Sequence, residues 1–173
     1  IVAATNRNLE KMIEENQFDT IYHEHFSYFS LLAIAPVFAR AGLQVYDVEQ
    51  LPTHGGSLRL FVKHQENSEL KETAAVQALI EKEKKLGYAN LEFYDKYREK
   101  VEAVKRDFLE FLIKAKRDGK KVLAYGAAAK GNTLLNFCGV REDFIDFVAD
   151  RNPHKQNKFL PGVHIPVLSV DEL

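Results

Sequence analysis

The chain has 173 residues, enough to bury a core in one large domain or two small ones. Its 24 lysines and arginines against 25 aspartates and glutamates leave a net charge of −1, so no global basic field argues for nucleic acid or for an acidic membrane surface. A single cysteine excludes an internal disulfide framework and fits a reducing, cytoplasmic setting, and the longest apolar run, residues 31–39, is broken by Pro36 and is far shorter than the ~20 residues that span a bilayer.

Residues 9–17 carry a short helical pattern, and the apolar alternation over 18–21 predicts an extended segment leading into Tyr22-His23-Glu24-His25. That tetrapeptide is an acid/base kit, because imidazole takes and returns a proton near neutral pH while a neighbouring carboxylate or phenol orients and tunes it. On a strand, His23 and His25 would share a face, an arrangement that suits a metal, with Glu24 on the other side; no third ligand stands at a usual spacing. The alternative is structural: histidines satisfied by backbone groups beside the aromatic residues Phe26, Tyr28 and Phe29. A helix over 30–41 follows, closed by Gly42. Strands at 43–51 and 57–64, joined by Pro52-Thr53-His54-Gly55-Gly56, read as a hairpin whose Leu58, Leu60 and Val62 point to one buried face.

Residues 68–116 are helical in composition with a break near Gly87, and Val101, Val104, Phe108 and Phe111 form one apolar stripe, the ordinary signature of helix packing. After Asp118-Gly119 the pattern becomes that of an α/β unit: a strand over 121–125, the small-residue loop Gly126-Ala127-Ala128-Ala129-Lys130-Gly131, a helix over 132–137, and strands over 144–149 and 163–168. Strand, glycine-containing loop, helix and strand make the skeleton of a Rossmann-like half. Small residues let a backbone approach a ligand, the helix start presents amide N–H groups, and Lys130 adds a charge, so a phosphate or diphosphate is the natural guest. The loop matches neither the dinucleotide fingerprint nor the Walker loop, and packing alone is the competing explanation. The chain starts at Ile1, and Ser169-Val170-Asp171-Glu172-Leu173 resembles a helix just beginning, which reads as an excised piece.

Four stretches in register carry a resemblance: Phe18-Asp19-Thr20-Ile21-Tyr22-His23-Glu24-His25-Phe26-Ser27-Tyr28-Phe29-Ser30, His54-Gly55-Gly56-Ser57-Leu58-Arg59, Tyr125-Gly126-Ala127-Ala128-Ala129-Lys130-Gly131-Asn132-Thr133-Leu134-Leu135-Asn136, and Asp150-Arg151-Asn152-Pro153-His154-Lys155-Gln156. From about Gln17 onward the chain resembles the sugar C-methyltransferases that act on nucleotide-linked keto-deoxysugars. The resemblance implies an α/β chain in which residues 1–66 are the hairpin end of a class I S-adenosylmethionine-dependent methyltransferase domain, 67–118 a helical segment, and 119–173 a truncated Rossmann-like nucleotide-sugar-binding unit. It implies S-adenosylmethionine as donor, held by sequence absent here, and zinc in a missing N-terminal segment of four cysteines.

By the same resemblance His25 is the general base, Tyr22 and Glu24 shape and polarise the catalytic site, and His23 is structural. The nucleoside-diphosphate sugar is contacted by Gly126, Lys130, Gly131, Asn132 and Thr133, the last three through their amides, together with Arg151 and His154; His54 and Ser57 build the hairpin turn or touch substrate. No metal is expected in the chain, no nucleic-acid or membrane partner, and no activity of the fragment alone. Two rivals stay open: a non-enzymatic nucleotide- or CoA-type binding module with a structural tetrapeptide, and a metal hydrolase built on His23 and His25.

Overall fold

The computed structural model describes residues 2–5, 9–52 and 56–173, with the side chains of 3–5 outside the description. The chain forms two compact units: Ile1–Phe18 with His23–Glu99, and Asp19–Tyr22 with Lys100–Leu173. The helical middle of the chain is divided between them.

In the first unit, strand β1 (Val2–Thr5) and helix α1 (Leu9–Glu14) precede helix α2 (Leu31–Arg40), strands β2 (Leu43–Leu51) and β3 (Ser57–His64), and helix α3 (Ala74–Leu86). Ser30 starts α2 by accepting the Ala33 N–H on its Oγ at 3.1 Å. Gly42, at φ +71°, turns the chain from α2 into β2, a conformation that costs glycine little. Strands β2 and β3 pair antiparallel from Leu43 opposite His64 to Leu51 opposite Ser57, the expected hairpin, with an irregularity between Val45 and Asp47. Strand β1 lies on the other edge of β3, so β3 is central.

The alternation is as expected: Leu58, Leu60 and Val62 are at most 1% exposed, whereas Arg59 is exposed. They pack with Leu31 and Ile34 of α2 and Val76 and Leu79 of α3 into one core. Full burial of such side chains stabilises by about 1.5–3 kcal/mol each relative to exposure. The helical stretch is shorter than its composition suggests, since residues 68–73 are irregular and α3 begins only after Thr73. Gly87, left-handed at φ +92°, ends α3 and confirms the expected break.

Helix α4 (Leu91–Arg117) begins in the first unit and ends in the second. Its buried positions are Val101, Leu112 and Ala115; Phe111, expected on the apolar stripe, is 61% exposed. The stripe drifts because a helix turns 100° per residue, so position 112 rather than 111 carries forward the face of 101 and 108. The second unit then adds β4 (Ala124–Tyr125), α5 (Ala129–Cys138), β5 (Val148–Ala149), β6 (Lys158–Phe159) and β7 (Pro166–Leu168). Strands β4, β5 and β7 are parallel neighbours, and β6 pairs antiparallel on the outer side of β7.

The observed class is therefore mixed α/β with two small sheets. Within it, β4, α5 and β5 form a parallel strand–helix–strand unit around a core of Leu112, Leu135, Val140, Val148, Ile165 and Val167. Strands expected over 121–125, 144–149 and 163–168 shrink to two or three residues, and β6 was not anticipated because Lys158 and Phe159 are both exposed and show no alternation. The apolar run at 18–21 is a 3-10 turn over Phe18–Thr20 rather than a strand. Ser169 caps a terminal 3-10 turn over Val170–Glu172.

Candidate functional site

The loop between β4 and α5 is built from its backbone. Gly126 sits at φ +89°, left-handed, and donates its N–H to the Ala149 carbonyl at 2.8 Å. The chain then enters α5 three residues earlier than its composition suggested, so Lys130 and Gly131 lie in the first helical turn. Asn132 donates its N–H to Ala128 at 3.0 Å, which opens the intrahelical ladder. Helix geometry thus leaves the amides of Ala129, Lys130 and Gly131 without a carbonyl four residues back, and the N-cap residue Ala128 supplies no side-chain acceptor. The expectation that the amides of Asn132 and Thr133 face a ligand is corrected: both lie within the ladder, and the Thr133 hydroxyl donates to the Ala129 carbonyl at 3.2 Å.

Gly131 has a second peculiarity. A Cβ placed on it meets no atom within 4 Å, and its φ is not in the left-handed region. Neither packing nor backbone conformation requires glycine there, although glycine in a helix costs about 0.5–1 kcal/mol relative to alanine. The loop and the start of α5 border a cleft of about 190 Å³ that Phe108, Tyr125, Ala127, Gly131, Asn132 and Leu160 help to line.

Asp150, at the end of β5, holds this loop in place. Its Oδ2 accepts the Ala127 N–H at 2.7 Å and its Oδ1 the Asn152 N–H at 2.8 Å. Lys155 closes the same corner, donating to the Ala127 carbonyl at 2.8 Å with its Nζ 3.5 Å from Asp150 Oδ2. The hydrogen bonds from Asn152 and Ala127, aided by the Lys155 charge, hold the Asp150 carboxyl below the ordinary carboxylate range. Asn152 in turn accepts the His154 N–H on its Oδ1 at 3.0 Å, and Gln156 donates to the Asp150 carbonyl at 2.9 Å. Arg151 and His154 are exposed on the turn that follows Asp150. Farther along α5, the Asn136 amide donates to the Pro161 carbonyl at 3.0 Å. A Cβ on Gly162 would stand 2.1 Å from Asn136 Oδ1, so this contact and a φ of +82° both demand glycine.

Of the residues expected to meet the nucleotide sugar, Gly126, Lys130, Gly131, Asn132 and Thr133 share one loop-and-helix start. Arg151 and His154 follow directly on Asp150, which bonds that loop. Sequence reading missed Asp150 and Lys155 as the residues that position it. The available signal was an acidic residue at the carboxyl end of a strand, next to a small-residue turn whose amides need acceptors.

The tetrapeptide is irregular, so His23 and His25 do not share a strand face. Glu24 is exposed and pairs with His23 at 3.9 Å, while Tyr22 and His25 are half-buried. Tyr22 belongs to the second compact unit, and Glu24 and His25 to the first. Phe26, immediately after, is 92% exposed. Among the described residues, no group of three or more His, Cys, Asp or Glu side chains could hold a metal ion. No helix among them is long and apolar enough to cross a membrane. His54 lies outside the described residues, and Ser57 is buried at the start of β3.

Residues 52–173 match the family described as C-methyltransferase C-terminal domain. The chain is also 37% identical over 164 residues to the C-methyltransferase NovU of Streptomyces niveus, covering 95% of this chain but only 39% of that protein's length. With its match running from residue 52, just past β2, through the whole strand–loop–helix–strand unit, the chain belongs to the C-methyltransferase C-terminal domain family.

Proposed function

We propose that this chain is the carboxyl-terminal part of an S-adenosylmethionine-dependent sugar C-methyltransferase, and that its second unit is a Rossmann-like module holding a nucleoside-diphosphate keto-deoxysugar. Gly131 carries this reading: a glycine that nothing inside the protein requires, in a helix start with open amides, is explained by close approach of a ligand. Lys130 and the amides of Ala129, Lys130 and Gly131 take the diphosphate, and Arg151 and His154 border it. Lys155 contributes no net charge, because Asp150 neutralises it.

A carbon beside a ketone is acidic because the electron pair left behind spreads onto the carbonyl oxygen. In this proposal the His25 imidazole takes that proton and becomes imidazolium, and Tyr22 and Glu24 shape its surroundings. S-adenosylmethionine would supply an electrophilic methyl group. Neither of the two clefts described in the second unit suits it: one holds about 190 Å³, and the other is lined by Lys114, Lys120 and Lys121, which repel a sulfonium cation. Donor binding is assigned, as the family resemblance implies, to sequence outside this chain. Calorimetric titration of the chain with S-adenosylmethionine should show no binding, and low-micromolar affinity would refute that assignment.

Gly131→Ala tests the loop directly. It should leave the chain as stable or add up to about 1 kcal/mol, while weakening binding of a panel of nucleoside diphosphates. Lys130→Ala should weaken the same binding by about fivefold, roughly 1 kcal/mol. Unchanged affinity in both variants removes the loop from the site. In the full-length protein, His25→Asn should abolish methyl transfer with folding intact; retained activity refutes the base assignment and favours a binding module without catalysis at the tetrapeptide.

A further inference from the structure

At the other end of β4 from the candidate loop, where the chain leaves α4, the second unit has a larger cleft of about 460 Å³. That volume lies within the range of small-molecule sites, roughly 300–1,000 Å³. Its apolar lining comes from Phe111, Ala115, Val122 and Leu123, and its charged lining from Lys114, Lys120, Lys121 and Asp118. Phe111 presents a ring that is 61% exposed and has no aromatic partner among the described residues.

The lysines are not explained by the end of the helix. Basic residues there ordinarily serve the last carbonyls and the negative end of the dipole. Here three of the last four carbonyls are closed by backbone: Asp118 N–H donates to Lys114 at 2.9 Å, Gly119, left-handed at φ +68°, to Lys116 at 3.0 Å, and Lys120 N–H to Ala115 at 2.9 Å. Lys116 is occupied by Asp146 at 3.5 Å. Lys114, Lys120 and Lys121 have no side-chain hydrogen bond or ion pair among the described residues, and Asp118 is the single carboxylate lining the cleft.

We propose that this cleft binds a small phosphate-bearing ligand with a flat apolar ring, of the nucleoside monophosphate kind. The phosphate sits among the three lysines and the ring lies on Phe111. Lysine ammonium groups act as flexible point charges suited to phosphate, and an exposed aromatic face stacks with any base. The site is separate from the loop at 126–131 and does not depend on the sugar methyltransferase reading.

Titration of this chain with AMP and with inorganic phosphate tests it. AMP should bind about tenfold more tightly than phosphate, and the affinity should fall with added salt. Lys120→Glu combined with Lys121→Glu should weaken AMP by at least about tenfold, and Phe111→Ala should bring AMP to the affinity of phosphate. In the unsubstituted chain, AMP should shift the amide resonances of residues 118–123, a readout independent of any variant's folding. Absence of AMP binding at millimolar concentration, shifts confined to residues 126–131, or unchanged affinity in the Lys120→Glu, Lys121→Glu double variant would overturn the proposal.

Discussion

Glu83 in the first unit and Asp150 in the second are both buried carboxylates, and each accepts two backbone N–H groups. Glu83, wholly buried on α3, accepts Leu31 N–H at 2.9 Å and Leu32 N–H at 2.6 Å, capping α2 from a distant part of the chain. Asp150 does the same for Ala127 and Asn152. Yet burial pushes the Glu83 carboxyl up, assisted by the charge of Glu10, whereas the Asp150 carboxyl is held down.

The difference lies in the balance between those hydrogen bonds and desolvation, which is the larger effect at Glu83 and the smaller at Asp150. Lys155 stands beside Asp150. The lysine adjacent to Glu83 in sequence, Lys82, is turned instead to Glu10, whose other oxygen accepts from Gln50 at 3.1 Å. Two good donors therefore do not guarantee a comfortable carboxylate: at Glu83 desolvation outweighs them, while at Asp150 they outweigh desolvation and Lys155 adds to them. Tyr88, buried among the same acids, is shifted upward for the same reason, desolvation first and Glu10 next.

The largest test of this contrast removes an acceptor. Glu83→Leu should cost about 2–4 kcal/mol, because two buried amides lose their partner, and should accelerate hydrogen exchange at Leu31 and Leu32. A loss under about 0.5 kcal/mol would show that water replaces the carboxylate. Next in size, Asp150→Asn should cost about 1–2 kcal/mol at neutral pH and loosen the Ala127 amide in exchange measurements. Because folding lowers the Asp150 pKa from 3.8, its stabilisation is present above that value and is lost as pH falls through the folded one. The gap between parent and Asp150→Asn should accordingly narrow on acidification, and a constant gap would remove the charge from the account.

Glu83→Gln sharpens the comparison from the opposite side. The folded state raises the Glu83 pKa from 4.5, so the native chain holds its proton longer than the unfolded chain. That contribution to stability declines as pH rises from 4.5 through the raised value. The amide variant should lie within about 1 kcal/mol of the parent and lack that decline in urea melts followed by circular dichroism. Smallest of all, Lys155→Met should cost about 0.5 kcal/mol, since its ion pair is half-exposed; an upward shift of the Asp150 pKa, measured by carbon NMR, should accompany it.

Much of the first unit was legible from local chemistry. The Leu58, Leu60, Val62 alternation marked β3, Gly42 and Gly87 marked two helix ends, and the strand boundaries at 43–51 and 57–64 came out as read. The second unit was legible in order but not in extent. Its short parallel strands carry no alternation, and Phe111 and Leu112 are equally apolar, so pattern alone could not tell which faces the core. The run at 18–21 misled because its two apolar residues, Phe18 and Ile21, stand three apart, the period of a 3-10 turn rather than of a strand.

By itself, the sequence marked out the candidate residues, since Tyr22, Glu24, His25, Lys130 and Gly131 stand out by type and by neighbours whatever the fold. It also carried the family resemblance, because motif order is a property of the chain. Only the tertiary structure decided how those residues are held: that Asp150 and Lys155 grip Ala127, that α5 begins before Lys130, and that Glu83 caps α2 from 51 residues away. Such contacts link residues distant in sequence through backbone groups every residue possesses, and no local pattern of side chains encodes which carboxylate will meet which amide.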